Sequence, residues 1–199
     1  MPSAASSAKT RNALVAAAQA FLADGRDDFS VPEVTRAAGV SVGSLYTHFT
    51  DKTHLIEQAA ITALEEVIPD LQQIVMSHED RALGFLASMA YSCSFPETNP
   101  RLARIIVTAG VSGFASDRSY AAGPIESLTD SAAKGLAKCD DPEAFALMVS
   151  AAYMNVLAIQ MSENPVPRLA ERTIRQLGRM LGYSDLQLDA IVSVSAEVK

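Results

Sequence analysis

The sequence predicts an all-α fold in two parts, a small N-terminal group of helices followed by a larger helical domain. Three observations predict it. Aromatic residues make up only 6% of the 199 positions while Ala is plentiful, which favours helix over sheet. Apolar residues recur at helical spacing, and no segment sustains the period-two alternation of a half-buried strand. Helix-start and helix-stop residues punctuate the chain at short intervals.

The first helix is expected over residues 7–23, where Leu14, Ala18, Phe21 and Leu22 form one apolar stripe and Gly25 follows as a stop. Residues 1–8, small and polar, read as a flexible arm. A second helix opens at Ser30, followed three positions later by Glu33; this is the reciprocal capping box, in which each side chain satisfies an orphan backbone donor. Pro32 is tolerated there because the first turn has no partner for its missing N–H. Gly39 supplies the permissive backbone that ends this helix after Ala37-Ala38. Ser41 then caps a third helix carrying Val42, Leu45, Tyr46 and Phe49 at helical spacing. Asp51 caps a fourth, expected to bury Leu55, Ile56, Ala59 and Leu64 and to end near Pro69. Further helices are expected over residues 79–93, 100–109, 119–139, 142–162, 168–181 and 184–198, separated by Pro- and Gly-containing breaks.

Hydrophobic residues at 49% and charged residues at 20% describe a globular chain. No apolar run approaches bilayer length, and the first residues lack the apolar core of a signal peptide, so a cytoplasmic protein with no membrane partner is expected. Cys93 and Cys139 have no metal-like spacing and read as ordinary thiols. The formal charge is −7, and residues 1–67 carry five basic against eight acidic side chains. That balance is unusual for a nucleic-acid domain, but Asp24, Asp27 and Asp28 fall in a loop and Glu65 and Glu66 near a helix end. Lys9, Arg11 and Lys52 stay available to phosphate. Modest affinity per half-site is the consequence.

Two short helices joined by a Gly-containing turn over residues 30–49 have the organisation of a helix-turn-helix. The uninterrupted series Ala37-Ala38-Gly39-Val40-Ser41, Gly43, Leu45-Tyr46, His48-Phe49, Lys52 and Leu55 resembles the DNA-binding domain of the TetR family of bacterial transcriptional regulators. The resemblance covers residues 9–60, with Thr35 standing where the family more often has a small Ala. It implies a homeodomain-like three-helix domain over residues 9–67, joined through its fourth helix to a ligand-binding and dimerisation domain over 68–199.

On the third helix, Leu45 and Phe49 point inward and leave Val42, Gly43, Ser44 and Thr47 as the base-facing set. Hydroxyls can bond several bases and a Val methyl can meet a thymine methyl, but none of the four offers a bidentate contact. Part of the recognition is therefore expected to come from DNA shape. The phosphate-facing set is Ser30, Ser41, Tyr46, His48 and Lys52. Tyr46 and His48 enter through the resemblance. Ser30, Ser41 and Lys52 enter because free N–H groups at helix starts favour an anion.

The resemblance further implies a repressor released from a palindromic operator by a small-molecule effector. It implies a homodimer formed by helices 142–162 and 168–181, with recognition helices about 34 Å apart. Met89, Tyr91, Cys93, Phe95, Phe114, Tyr120 and Tyr153 are as well explained by core packing as by a ligand wall, so the effector site is unassigned. His78-Glu79-Asp80 reads as a solvated capping cluster, because adjacent helical residues do not converge on a metal. No nucleophile–base pairing, phosphate-binding Gly loop or metal spacing is present, so neither an enzyme nor a cofactor is expected. The alternative left by the acidic N-terminal balance is a helical dimeric ligand-binding protein with weak or lost DNA binding.

Overall fold

Residues 4–110 and 119–197 are described by a computed structural model, and among them every regular element is helical. The elements are α1 (Ala4–Ala23), α2 (Val31–Ala37), α3 (Val42–His48), α4 (Lys52–Glu65), α5 (Ile68–Met76), α6 (Arg81–Ser92), α7 (Phe95–Thr98) and α8 (Pro100–Ala109). A 3-10 turn (Ser119–Ala121) precedes α9 (Ala122–Ala133), α10 (Pro142–Gln160), α11 (Leu169–Met180) and α12 (Asp185–Glu197).

The chain divides into two units, the first comprising the described residues up to Glu66 together with Arg101–Gly110. In it α1 packs against α4, α2 and α3. The expected stripe is the core: Leu14, Ala18 and Leu22 are fully buried beside Phe29, Val34, Leu45, Leu55 and Ala59. Phe21 is only half-buried and stacks on Phe29 with centroids 4.9 Å apart. Two departures from the sequence expectations stand out. Residues 4–8, read as a flexible arm, are already helical in α1. Arg101–Gly110, read as part of the C-terminal domain, cluster with the N-terminal unit. Buried Gln19 explains one such tie: its Nε2 donates to the Ala59 carbonyl at 3.0 Å, and its Oε1 accepts from Arg101 at 3.5 Å.

The second unit comprises Val67–Pro100 and the described residues from Ser119 onward. Here α6 is central, packing against α5, α9, α11 and α12, while α10 packs on α9 and α11. Pro69 does not close the fourth helix. It lies in the first turn of α5, where a missing N–H is harmless, and α4 stops four residues earlier at Glu65. Approach of α5 to α6 requires Gly84, since a Cβ there would lie 2.7 Å from the Val75 carbonyl oxygen. The helix expected over 119–139 is shorter because Gly135, at φ +69°, turns the chain after α9.

A polar hub holds the start of α6. Asp80 Oδ1 accepts from the Ala82 and Leu83 N–H groups at 3.1 and 3.3 Å and from the Ser131 hydroxyl at 2.7 Å. Its Oδ2 accepts from the Tyr183 hydroxyl at 2.8 Å, and Ser131 Oγ in turn accepts from the Ala82 N–H at 2.9 Å. Burial and the Asp80 bond push the Tyr183 phenol above its ordinary range. Asp80 is thus a cap, as expected, but one tied into the core and not simply solvated.

Candidate nucleic-acid interface

The capping box is formed as the sequence requires. Ser30 Oγ accepts from the Glu33 N–H at 3.4 Å, and Glu33 Oε2 accepts from the Ser30 N–H at 2.8 Å and its hydroxyl at 2.7 Å. Hydrogen bonds from the Ser30 backbone and side chain, then from Arg26, hold the Glu33 carboxyl down at about 2. Because that value lies below the ordinary 4.5, this contribution to stability is complete above pH 4.5 and is lost as pH falls toward 2. Wild-type protein should therefore lose unfolding free energy more steeply across this window than Glu33→Gln, measured by denaturant melts. Superimposable pH profiles would remove the capping box as the cause.

Between the two helices the chain turns at Gly39, φ +67°, and the Val40 N–H returns to the Thr35 carbonyl at 3.0 Å. The unusual Thr35 is accommodated locally: buried, it donates its hydroxyl to the Val31 carbonyl at 2.9 Å. Ser41 then caps α3, its Oγ accepting from the Ser44 N–H at 3.2 Å. Leu45 and Phe49 are buried and fix the inner face of α3. Asp51 caps α4 by accepting from the His54 N–H at 2.8 Å.

The expected base-facing residues do not all stand alike. Val42, Gly43 and Thr47 are exposed together with Tyr46, whereas Ser44 is half-buried and its hydroxyl lies 2.8 Å from Ser41 Oγ. Thr47 is exposed and donates to the Gly43 carbonyl at 3.1 Å, which leaves its oxygen an acceptor. Among the expected phosphate-facing residues, Tyr46 is 57% exposed. His48 is half-buried, its ring 6.3 Å from that of Phe49. Ser30 and Ser41 are exposed but spend their hydroxyls on their own helix caps, and Ser30 carries the Glu33 carboxylate where an anion would have to sit.

Lys52 is folded back. Its Nζ donates to the Asp27 carbonyl at 3.0 Å and lies 5.4 Å from the Phe29 ring centroid. Arg11 is likewise engaged, donating to Gln58 Oε1 at 2.6 Å and lying over Phe49 at 5.7 Å, whereas Lys9 is exposed. The sequence reading gave no role to Arg36, an exposed guanidinium in the last turn of α2, because the motif marks α3 and its flanks. Two capped helices, a tight Gly turn and an exposed outer face on the second helix define a helix-turn-helix protein.

Comparison with known proteins makes that class particular. Residues 13–59 match the family described as bacterial regulatory proteins, tetR family. The fold is similar to that of RolR in complex with resorcinol, at 19% identity and a TM-score of 0.77, covering 96% of each chain. TylP, a TetR regulator from Streptomyces fradiae, is 18% identical with a TM-score of 0.61, over 97% of this chain and 92% of that one. NalD, the secondary repressor of the MexAB-OprM multidrug efflux pump in Pseudomonas aeruginosa, is 18% identical with a TM-score of 0.60, over 88% of this chain and 98% of that one. A search of curated proteins finds no match. Residues 13–59 are thus a tetR-type DNA-binding domain, and the chain as a whole shares the fold of the solved TetR regulators.

Proposed function

We propose that the protein is a homodimeric transcriptional repressor that binds a palindromic operator and leaves it when a small-molecule effector binds. The carrying observation is the outer face of α3, where Val42, Gly43, Tyr46 and Thr47 stand exposed on a helix anchored by Leu45 and Phe49. Val42, Gly43 and Thr47 meet base edges, with Ser44 contributing only if its hydroxyl leaves Ser41. Tyr46, His48, Ser41 and Lys52 meet phosphates, Lys52 exchanging the Asp27 carbonyl for a charged oxygen, which makes the stronger bond. Ser30 is the weakest of the set, because a phosphate there meets Glu33.

Dimerisation is assigned to α10 and α11. By length and composition α10 is apolar enough to cross a membrane, which corrects the expectation that no run approaches that size. Yet only Ala146, Val149, Val156 and Leu157 are buried on it. Ala144, Met148, Ala151, Asn155 and Ala158 are exposed at alternating spacings of four and three, a seam with the period of paired helices. A second copy covering this seam accounts for an apolar helix so little buried in one chain.

The effector clause is supported by RolR, whose fold holds resorcinol, and the effector-binding residues stay unassigned. Met89, Cys93 and Phe95 are buried core residues, and Tyr153 directs its hydroxyl at the Ser92 carbonyl 3.4 Å away. Burial pushes the Cys93 thiol up to about 12, so it is inert. Phe114 lies outside the described residues. We assign the protein to the cytoplasm, with no enzymatic step and no cofactor.

The test is binding to duplex DNA from around the coding region at two salt concentrations. Affinity should fall steeply with added salt, and Thr47→Ala should change base preference while leaving that salt dependence intact. Salt-independent binding would contradict the phosphate contacts, and an unaltered preference would take Thr47 off the reading face.

A further inference from the structure

We propose that Arg36 is a phosphate anchor of the DNA interface, the cation of the helix-turn-helix that needs no rearrangement to meet the backbone. This rests on the DNA-binding function proposed above. The basic side chains of residues 4–66 are Lys9, Arg11, Arg26, Arg36 and Lys52. Three are spent internally. Arg11 is held by Gln58 and Phe49, and Lys52 by the Asp27 carbonyl and Phe29. Arg26 pairs with Glu33 at 3.1 Å and Asp28 at 3.8 Å and lies 4.8 Å from the Phe21 ring centroid. Arg36 is exposed, and its guanidinium has no hydrogen-bond or ion-pair partner among the described residues.

Its position suits the role. Val34 and Thr35 turn into the core, and Arg36 shares the exposed side of α2 with Pro32, one turn earlier. In a helix-turn-helix the first helix crosses the phosphate backbone while the second enters the groove. Arg36 lies in the last turn of that first helix, which the Gly39 turn separates from Val42. Glu33, its i−3 neighbour and the acidic residue of α2, is already held by Ser30 and Arg26 and does not draw the guanidinium inward. A planar fork of donors free in solvent matches phosphate oxygens in pairs, where an ammonium supplies one point charge.

The experiment titrates a fluorescently labelled 30-base-pair random-sequence duplex with the full chain and reads anisotropy from 50 to 200 mM NaCl. Wild type, Arg36→Gln, Arg36→Lys and Arg104→Gln are compared. Arg104 is a control of equal charge, exposed in the same unit but outside the helix-turn-helix. Arg36→Gln should lower the slope of log affinity against log salt by about 1 per bound protomer. Arg36→Lys should restore most of it, and Arg104→Gln should leave it at the wild-type value. A wild-type slope in Arg36→Gln, or an equal loss in Arg104→Gln, overturns the anchor while leaving DNA binding in place. A wild type that binds without salt dependence overturns both.

Discussion

Ala151→Glu is expected to yield a folded monomer that binds DNA at least about 100-fold more weakly than wild type. Ala151 is exposed at the middle of the α10 seam, so the isolated chain has room for the larger side chain. A two-fold interface uses the same patch on both subunits, so one substitution on the seam places a carboxylate in the interface twice. Each is then desolvated on association, at an effective cost of several kcal/mol. Since about 1.4 kcal/mol is tenfold in a dissociation constant, the dimer should weaken by about a thousandfold. Losing the tether between two half-sites removes an avidity of about 10²–10⁴ without touching α3. Sedimentation velocity at micromolar protein checks the oligomeric state, and anisotropy with the palindromic duplex checks affinity. A variant that sediments with wild type would move the interface off α10.

Asp80→Ala is expected to lower unfolding free energy by about 3–4 kcal/mol. The carboxylate accepts from two backbone N–H groups, Ser131 and Tyr183, and hydrogen bonds to a charged group are worth about 1.5–3 kcal/mol each before non-additivity. Ser131 still reaches the Ala82 N–H in the variant, which limits the loss. Tyr183 fares worse: its hydroxyl is left without its acceptor in a residue that is 5% exposed. For a chain of this length the change corresponds to a melting temperature lower by about 10 °C. Asp80→Asn, which keeps an acceptor oxygen, should lose roughly half as much. A thermal melt of Asp80→Ala within a degree or two of wild type would show that the network carries no such weight.

Local signals made the N-terminal unit legible in the sequence. Ser30 with Glu33, Gly39, Ser41 and Asp51 each act within a few residues, so their helix boundaries emerge where their chemistry puts them. Pro100 and Ala109 bound α8 for the same reason. Misreadings arose where distant residues decide. Helix α5 has no counterpart among the expected helices because Pro69 reads as a stop as easily as a start, and its packing on α6 depends on the distant Gly84 beside Val75. The site was half legible. Spacing separates Leu45 and Phe49 from the outer face of α3, yet no spacing rule connects Lys52 to a carbonyl on the preceding loop. The same is true of Arg11 and Gln58. Which cations remain free depends on those long-range bonds, and so Lys52 was prominent in the sequence and Arg36 was not.

The bond from Lys52 to Asp27 spans 25 residues and closes a ring that contains both helices of the motif. A closed ring has fewer conformations open to it than a free segment, so part of the entropy lost in ordering α2 and α3 is given up on folding. The recognition helix then meets DNA preorganised, which favours affinity. Under the proposed phosphate contact, a backbone oxygen that takes the Lys52 ammonium opens the ring and returns some of that freedom to the loop. Docking and loosening would then be coupled at one ammonium, with the α1–α2 loop freer when DNA is bound than when it is not.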